Sequence, residues 1–216
     1  MKLLSVNVGL PREVPSGRVR VLTSIFKSPV NGRVAVVGNN LAGDQQSDLS
    51  VHGGPNKAVY AYPSEHYGFW RDQLPDIELT WGVFGENLTT EGLSEETVHV
   101  GDHLRVGSVE LVVTQPRLPC FKLGIRFNRA EMVKRFLASR RSGFYFAVVT
   151  EGELGAGDAI ELLSRDPDAV TVRELVGMYV GEPTTIDRLR VAAGNPALPG
   201  WWRETLLDRA SKGNVE

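Results

Sequence analysis

The spacing of apolar and polar positions changes once along this chain, near residue 165. Before that point short runs of β-branched residues are broken by glycine, proline and asparagine, the pattern of strands joined by tight turns. Residues 18–25 alternate with period two, as a half-buried strand does. Residues 33–37 are an apolar run after Asn31-Gly32, a turn signal that predicts a hairpin-like entry. A polar loop over 38–48 follows, then a strand over 57–62. Residues 64–74 read as a helix with Ser64 at its N-cap, Pro75 ending it, and Tyr67, Trp70 and Leu74 on one face. Gly101-Asp102 and Gly157-Asp158 each lead into an alternating strand, over 103–106 and 159–162. Asn128 is expected to cap a helix to about Ser139, with Val133, Phe136 and Leu137 inward, and residues 144–149 are apolar enough for a central strand. Beyond 165 the period becomes helical. Thr171 and Glu174 form a capping box, Val172, Leu175, Val176, Tyr179 and Val180 one stripe, and Gly181 the C-terminal stop. A second helix is expected from Thr184 or Thr185 to Gly194, and a third from about Pro199 through Ala210 with Trp202 and Leu206 inward. The pattern therefore predicts a mainly β domain over 1–165 and a small three-helix domain over 166–216. Helices this short need a surface to pack on, either the first domain or a partner.

Composition narrows the function classes. A formal net charge of −2 gives no footprint for nucleic acid or an anionic membrane. No apolar run is long enough to span a bilayer, and the N-terminal apolar stretch is too short for a signal peptide and reads as a strand. Cys120 is the single cysteine, so no internal disulfide forms, which fits a reducing cytoplasm. One cysteine also excludes a self-contained iron–sulfur cluster and a cysteine-rich zinc site. The expectation is a soluble cytoplasmic protein.

Three stretches carry chemistry. In Gln115-Pro116-Arg117-Leu118-Pro119-Cys120-Phe121-Lys122-Leu123, two prolines stiffen the backbone that presents Cys120 beside Arg117 and Lys122. Such a thiol is a lowered-pKa nucleophile, a soft-metal ligand, or a small buried hydrophobe. In His52-Gly53-Gly54-Pro55-Asn56-Lys57-Ala58, paired glycines let backbone N–H groups face an oxyanion, and Lys57 adds charge; the bland reading is a turn before a strand. In Phe84-Gly85-Glu86-Asn87-Leu88, an acid–amide pair either holds a heterocycle edge or closes a structural turn. His99 and His103 straddle a turn and do not share a helical face, His66 reads as packing, and Asp44 and Asp48 have no His or Cys to complete a ligand set.

In order and spacing, Gly43-Asp44-Gln45 followed by these stretches resembles the MOSC family, named for the C-terminal domain of molybdenum cofactor sulfurases. The resemblance covers nearly the whole chain. It is greatest to the stand-alone bacterial branch of the hydroxylaminopurine-resistance type, in which a three-helix domain follows. It implies a distorted, mostly antiparallel β-barrel of the pyruvate-kinase-barrel type that binds molybdopterin in a cleft. The cysteine matching Cys120 is then the molybdenum ligand and catalytic thiolate, or in sulfurase relatives a persulfide carrier. His52, Gly53, Gly54 and Lys57 are the candidates for the anion cradle; Gly85, Glu86, Asn87, Gln115, Arg117 and Lys122 are the other candidates for holding the cofactor. The branch often has Asp-Arg where Asn56-Lys57 stands here, so charge is kept but a bidentate phosphate clamp is lost.

The activity implied is reduction of N-hydroxylated compounds such as hydroxylamino-purines, amidoximes or hydroxamic acids. With no iron–sulfur cluster of its own, the chain would draw electrons from an external flavin or iron–sulfur protein. The rival readings are a persulfide transferase and a molybdopterin carrier, both using Cys120. Pyridoxal phosphate is not expected, nor are nucleic-acid or membrane partners, and a homodimer stays open.

Overall fold

The computed structural model describes residues 1–47 and 53–213. In chain order the strands are β1 (Lys2–Val8), β2 (Arg12–Ser16), β3 (Val19–Thr23), β4 (Ser28–Val30), β5 (Arg33–Val37), β6 (Asn40–Leu41), β7 (Val59–Pro63), β8 (Leu88–Glu91), β9 (His103–Val106), β10 (Val109–Pro116), β11 (Phe144–Thr150), β12 (Gly152–Gly155) and β13 (Ile160–Ser164). The helices are α1 (His66–Gln73), α2 (Phe121–Phe127), α3 (Met132–Ser139), α4 (Val172–Val180), α5 (Ile186–Gly194) and α6 (Gly200–Ser211), and a single 3₁₀ turn spans Pro55–Lys57. Eight strands form one sheet in the order β13-β9-β10-β11-β7-β8-β1-β4. Every pairing in it is antiparallel except β7 with β8. β12, β5 and β6 make a three-stranded sheet, and β2 and β3 pair only with each other.

The barrel expectation is met in part. The sheet is large and almost wholly antiparallel, but among the described residues no ladder joins its end strands, so the pairings do not close it. The turn into β13 instead meets the start of β1 through main-chain bonds: Leu3 N donates to Asp158 O at 2.9 Å, Gly157 N to Leu3 O at 2.8 Å, and Ile160 N to Met1 O at 3.0 Å. The two glycine–aspartate turns do lead into neighbouring strands, β9 and β13, and the apolar run over 144–149 is β11, inside the sheet.

Four local expectations are corrected. Asn31-Gly32 separates β4 from β5, yet β4 pairs with β1 and β5 with β12, so no hairpin forms there. Ser64 does not cap α1; Glu65 stands at that position with no side-chain cap. Asn128 does not start a helix. It ends α2 in the left-handed region (φ 50°), its N–H reaching back to Gly124 and Ile125, a conformation asparagine tolerates better than most residues. The polar loop after β5 contains the short strand β6.

Three apolar clusters hold the fold. One fills the inside of the sheets. A second is aromatic: Tyr62, Tyr67, Trp70, Phe84, Phe127 and Phe136 pack α1, α2 and α3 over the face of β7. The third belongs to α4–α6, and it takes in Val100 and the partly buried Leu118 of the strand region. The helices are thus docked on the sheet. The capping box at Thr171, the Gly181 stop (φ 86°) and the Thr185 cap all form as the sequence indicates. No helix among the described residues is long and apolar enough to cross a membrane.

Candidate functional site

A cleft of about 670 Å³, its open mouth included, lies where the segment after β3, the loop over 44–47, the Pro55–Lys57 turn, the start of β7, the Gly85–Asn87 turn and the residues after β10 converge. Lys57, Gly85, Asn87, Arg117, Cys120 and Lys122 all line it, so three stretches far apart in sequence meet at one opening. The prolines explain how Cys120 arrives there. Pro116 ends β10, Arg117 N still donates to Gly143 O at 3.2 Å, and after Pro119 the chain is extended at Cys120 (φ −121°, ψ 173°) before it winds into α2. Pro119 stiffens the approach without blocking a helix that begins two residues later. Cys120 is half-buried.

The electrostatics around the thiol are cationic. Burial pulls the pKa of Lys57 below its ordinary value, and negative charge on Cys120 opposes that shift. Arg117 is 5% exposed and has no carboxylate partner among the described residues; its guanidinium lies 5.4 Å from the Tyr60 ring centroid and 5.0 Å from that of Phe136. Its Nη1 is buried and meets no hydrogen-bond acceptor. Tyr145, also in the lining, is pushed by burial above the usual tyrosine range, Arg117 opposing the shift, and it stays a neutral phenol.

A second group lies under the loop over 44–47. Asp44 accepts the Lys27 ammonium, the Gly9 N–H at 2.8 Å and the Asn87 amide Nδ2 at 2.9 Å. Asn87 in turn accepts the Tyr60 N–H at 3.1 Å, tying the turn after Gly85 to β7. Burial lowers the pKa of Lys27, and the Asp44 charge resists that. Ser24 Oγ, beside them in the lining, is buried without a partner among the described residues.

Other expected site residues are placed elsewhere. His52 lies outside the described residues. Gly53 is half-buried, and Gly54 adopts φ 87°, which suits glycine, but its N–H is taken by Gln46 Oε1 at 3.2 Å; neither lines the cleft. Glu86 is fully buried and turned away from the opening. It accepts from the Tyr67 hydroxyl, Gly82 N (2.8 Å), Phe84 N (3.1 Å) and Thr89 Oγ1 (3.1 Å), so it holds the turn rather than a ligand. Gln115 is spent twice, donating to Asn56 O at 3.1 Å and accepting from the Trp202 indole at 3.1 Å. It links α6 to the turn that carries Lys57. His66, His99 and His103 do not line the cleft; His66 pairs with buried Glu95 at 2.6 Å. Lys27, Ser24, Tyr60 and Tyr145 are lining residues that carry no motif; Asp44 and Gln45, which also line the cleft, belong to the Gly43-Asp44-Gln45 stretch.

The donor set fits an anionic organic cofactor that brings its own metal. Among the described residues no three His, Cys, Asp or Glu side chains gather to hold a bare ion. What the cleft offers is one soft donor, three cations around it in Lys57, Arg117 and Lys122, and two buried polar atoms, Arg117 Nη1 and Ser24 Oγ, that lack partners.

Comparison with known proteins gives the same direction. The MOSC domain model matches residues 48–161. YflK of Bacillus subtilis (strain 168), an uncharacterized protein, is 36% identical over 97% of this chain and 95% of its own length. The crystal structure of YiiM from Geobacillus stearothermophilus superposes with a TM-score of 0.80 at 33% identity, covering 97% of this chain and 98% of that one. A Gibberella moniliformis protein named as a reductase is 35% identical over 73% of this chain, which corresponds to 30% of that longer protein.

Proposed function

This chain belongs to the MOSC domain family, and from that premise we propose that it is a molybdenum-cofactor-binding oxidoreductase that reduces N-hydroxylated compounds. The observation that carries the reading is the cleft itself: a single thiol, Cys120, set among Lys57, Arg117 and Lys122, with the Arg117 Nη1 buried and unsatisfied. The reductase name of the fungal relative supports the reaction class. We read the curled eight-stranded sheet as the distorted barrel of the family and α4–α6 as an appended domain. In this reading the Cys120 thiolate would ligate molybdenum, Arg117, Lys57 and Lys122 would balance the cofactor's negative charge, and Ser24 would offer a polar edge, while Asn87 stays with Asp44 and Tyr60. The bound cofactor supplies the two-electron chemistry that turns N–OH, with two protons, into N–H and water.

The chain's own part is placement. The proline-bounded segment fixes the direction of the thiol, and Lys57 interacts electrostatically with Cys120. The neutral phenol of Tyr145 beside Arg117 keeps a hydroxyl at the opening without adding negative charge. The test is turnover of an N-hydroxylated purine by cofactor-loaded protein with an artificial reductant. Wild type is expected to be active and Cys120→Ala inactive. Equal rates remove the role given to Cys120, and a sulfur adduct on Cys120 after incubation with a cysteine desulfurase, without turnover, favours the carrier reading instead.

A further inference from the structure

The ribbon of β2 and β3 belongs to neither sheet, yet it ends at the cleft: Thr23 at the close of β3 lines the opening, and its register partner is Arg12. Arg12 is exposed and sits 3.6 Å above the Phe26 ring centroid. The Arg126 guanidinium of α2 lies 5.0 Å from the same centroid, and its Nε is buried with no hydrogen-bond partner. Two like charges thus meet one aromatic ring, Phe26, between the cleft-lining residues Ile25 and Lys27, and neither has a carboxylate partner among the described residues. Burial, then the Arg12 charge, lowers the pKa of Arg126, a sign that the pair is held together against repulsion. An arrangement that costs free energy in the isolated chain is relieved by an acidic partner.

Charge along the sequence repeats this asymmetry. Over residues 9–26, Arg12, Arg18 and Arg20 stand against Glu13 alone, and over 117–127 Arg117, Lys122 and Arg126 stand against no acid, although the whole chain has a formal net charge of −2. The rest of the molecule is therefore acidic. Such a distribution draws an acidic protein to the mouth and repels it elsewhere. The ribbon also carries exposed apolar side chains, Val19 at 63% and Leu22 at 49%, and Phe121 beside Cys120 is 56% exposed. From Thr23 to its tip the ribbon extends about 13 Å at a strand's rise per residue, too far to serve a small anion inside the cleft.

We infer that the β2–β3 ribbon, with Arg12, Phe26 and Arg126 at its base, is the docking face for an acidic electron-donor protein. This rests on the reductase reading, in which each N–OH reduced to N–H and water consumes two electrons and two protons. The donor class is a small acidic flavin or iron–sulfur protein, whose reduced centre gives up those electrons within reach of the cleft.

The test uses the full chain loaded with cofactor, with a purified acidic flavodoxin and a purified acidic ferredoxin as probes. Calorimetric titration should show binding to at least one probe that weakens as salt rises. Arg12→Glu combined with Arg18→Glu, both exposed and harmless to the core, should weaken it at least tenfold, and Arg12→Glu with Arg126→Glu further. With dithionite in place of the protein donor, turnover should be the same in wild type and variants, while the KM for the protein donor rises. Unchanged affinity in the variants, or no binding of wild type to either probe, overturns the docking face. Absence of dithionite-driven turnover in wild type, with salt-sensitive binding still lost in the variants, refutes the reductase reading and leaves the docking face standing.

Discussion

Lys27 and Arg117 reach the same cleft as buried cations, and they are held in opposite ways. Lys27 is paired: its ammonium meets Asp44, whose carboxylate also takes the Gly9 and Asn87 donors. Arg117 is held by the rings of Tyr60 and Phe136 and, among the described residues, lacks a carboxylate and leaves Nη1 unsatisfied. A buried charge whose lone pairs and protons are all matched is part of the scaffold, whereas one left unmatched stores an unmet demand that a ligand can fill. The Asp44 cluster therefore reads as the frame of the cleft and Arg117, with Cys120 and Lys57, as its receptive side.

The comparison can be broken by substitution, and the frame should give the largest effect. Asp44→Ala strands Lys27 and Gly9 N, leaves Asn87 Nδ2 only its bond to Asn7 O, and should cost about 3–5 kcal/mol in denaturant unfolding; adding Lys27→Met should recover part of that loss. A loss of under ~1 kcal/mol would make the cluster incidental. Next in size is Trp202→Phe. It removes the indole N–H and leaves Gln115 Oε1 buried without a donor, at about 1–3 kcal/mol. Because Gln115 also holds Asn56, amide exchange over residues 54–58 should quicken while α6 stays protected. Arg117→Met should change stability by less than about 1 kcal/mol, or raise it, since no ion pair among the described residues is lost. Its mark is functional: molybdenum retained after gel filtration should fall steeply. If Arg117→Met instead destabilises as much as Asp44→Ala, the distinction between frame and receptive side fails.

The smallest effect concerns Glu86. Burial raises its pKa above 4.5, opposed by the Tyr67, Gly82 and Thr89 hydrogen bonds. The folded state then keeps a proton that the unfolded chain releases. Stability from this group is fully present below pH 4.5 and is lost as pH rises through the raised folded value. Glu86→Gln should flatten that slope in a series of thermal melts; an unchanged slope assigns it to another group.

What the sequence revealed and what it hid divide along the same physical line. Elements governed by local rules were legible: the glycine–aspartate turns into β9 and β13, the capping box of α4 and the proline-fixed approach to Cys120. Side-chain direction was not. Gln115 was a candidate for holding the cofactor beside Arg117, but a register shift between Val113 and Gln115 breaks the alternation of β10, and Gln115 meets Trp202, far away in sequence. Glu86 follows a glycine turn, and only the presence of Tyr67 beneath it explains why the carboxylate faces inward. Lys27 sits between two short strands in a segment with no period, and its partner Asp44 lies in a polar loop, so nothing local joined them.

The central claim is that the Cys120 sulfur is a molybdenum ligand in this cleft. X-ray absorption at the molybdenum edge, on protein made in a molybdenum-competent host, tests it most directly. The account predicts a metal–sulfur shell in wild type that loses one sulfur neighbour in Cys120→Ala. Identical shells in the two proteins, or no molybdenum in wild type, would contradict it.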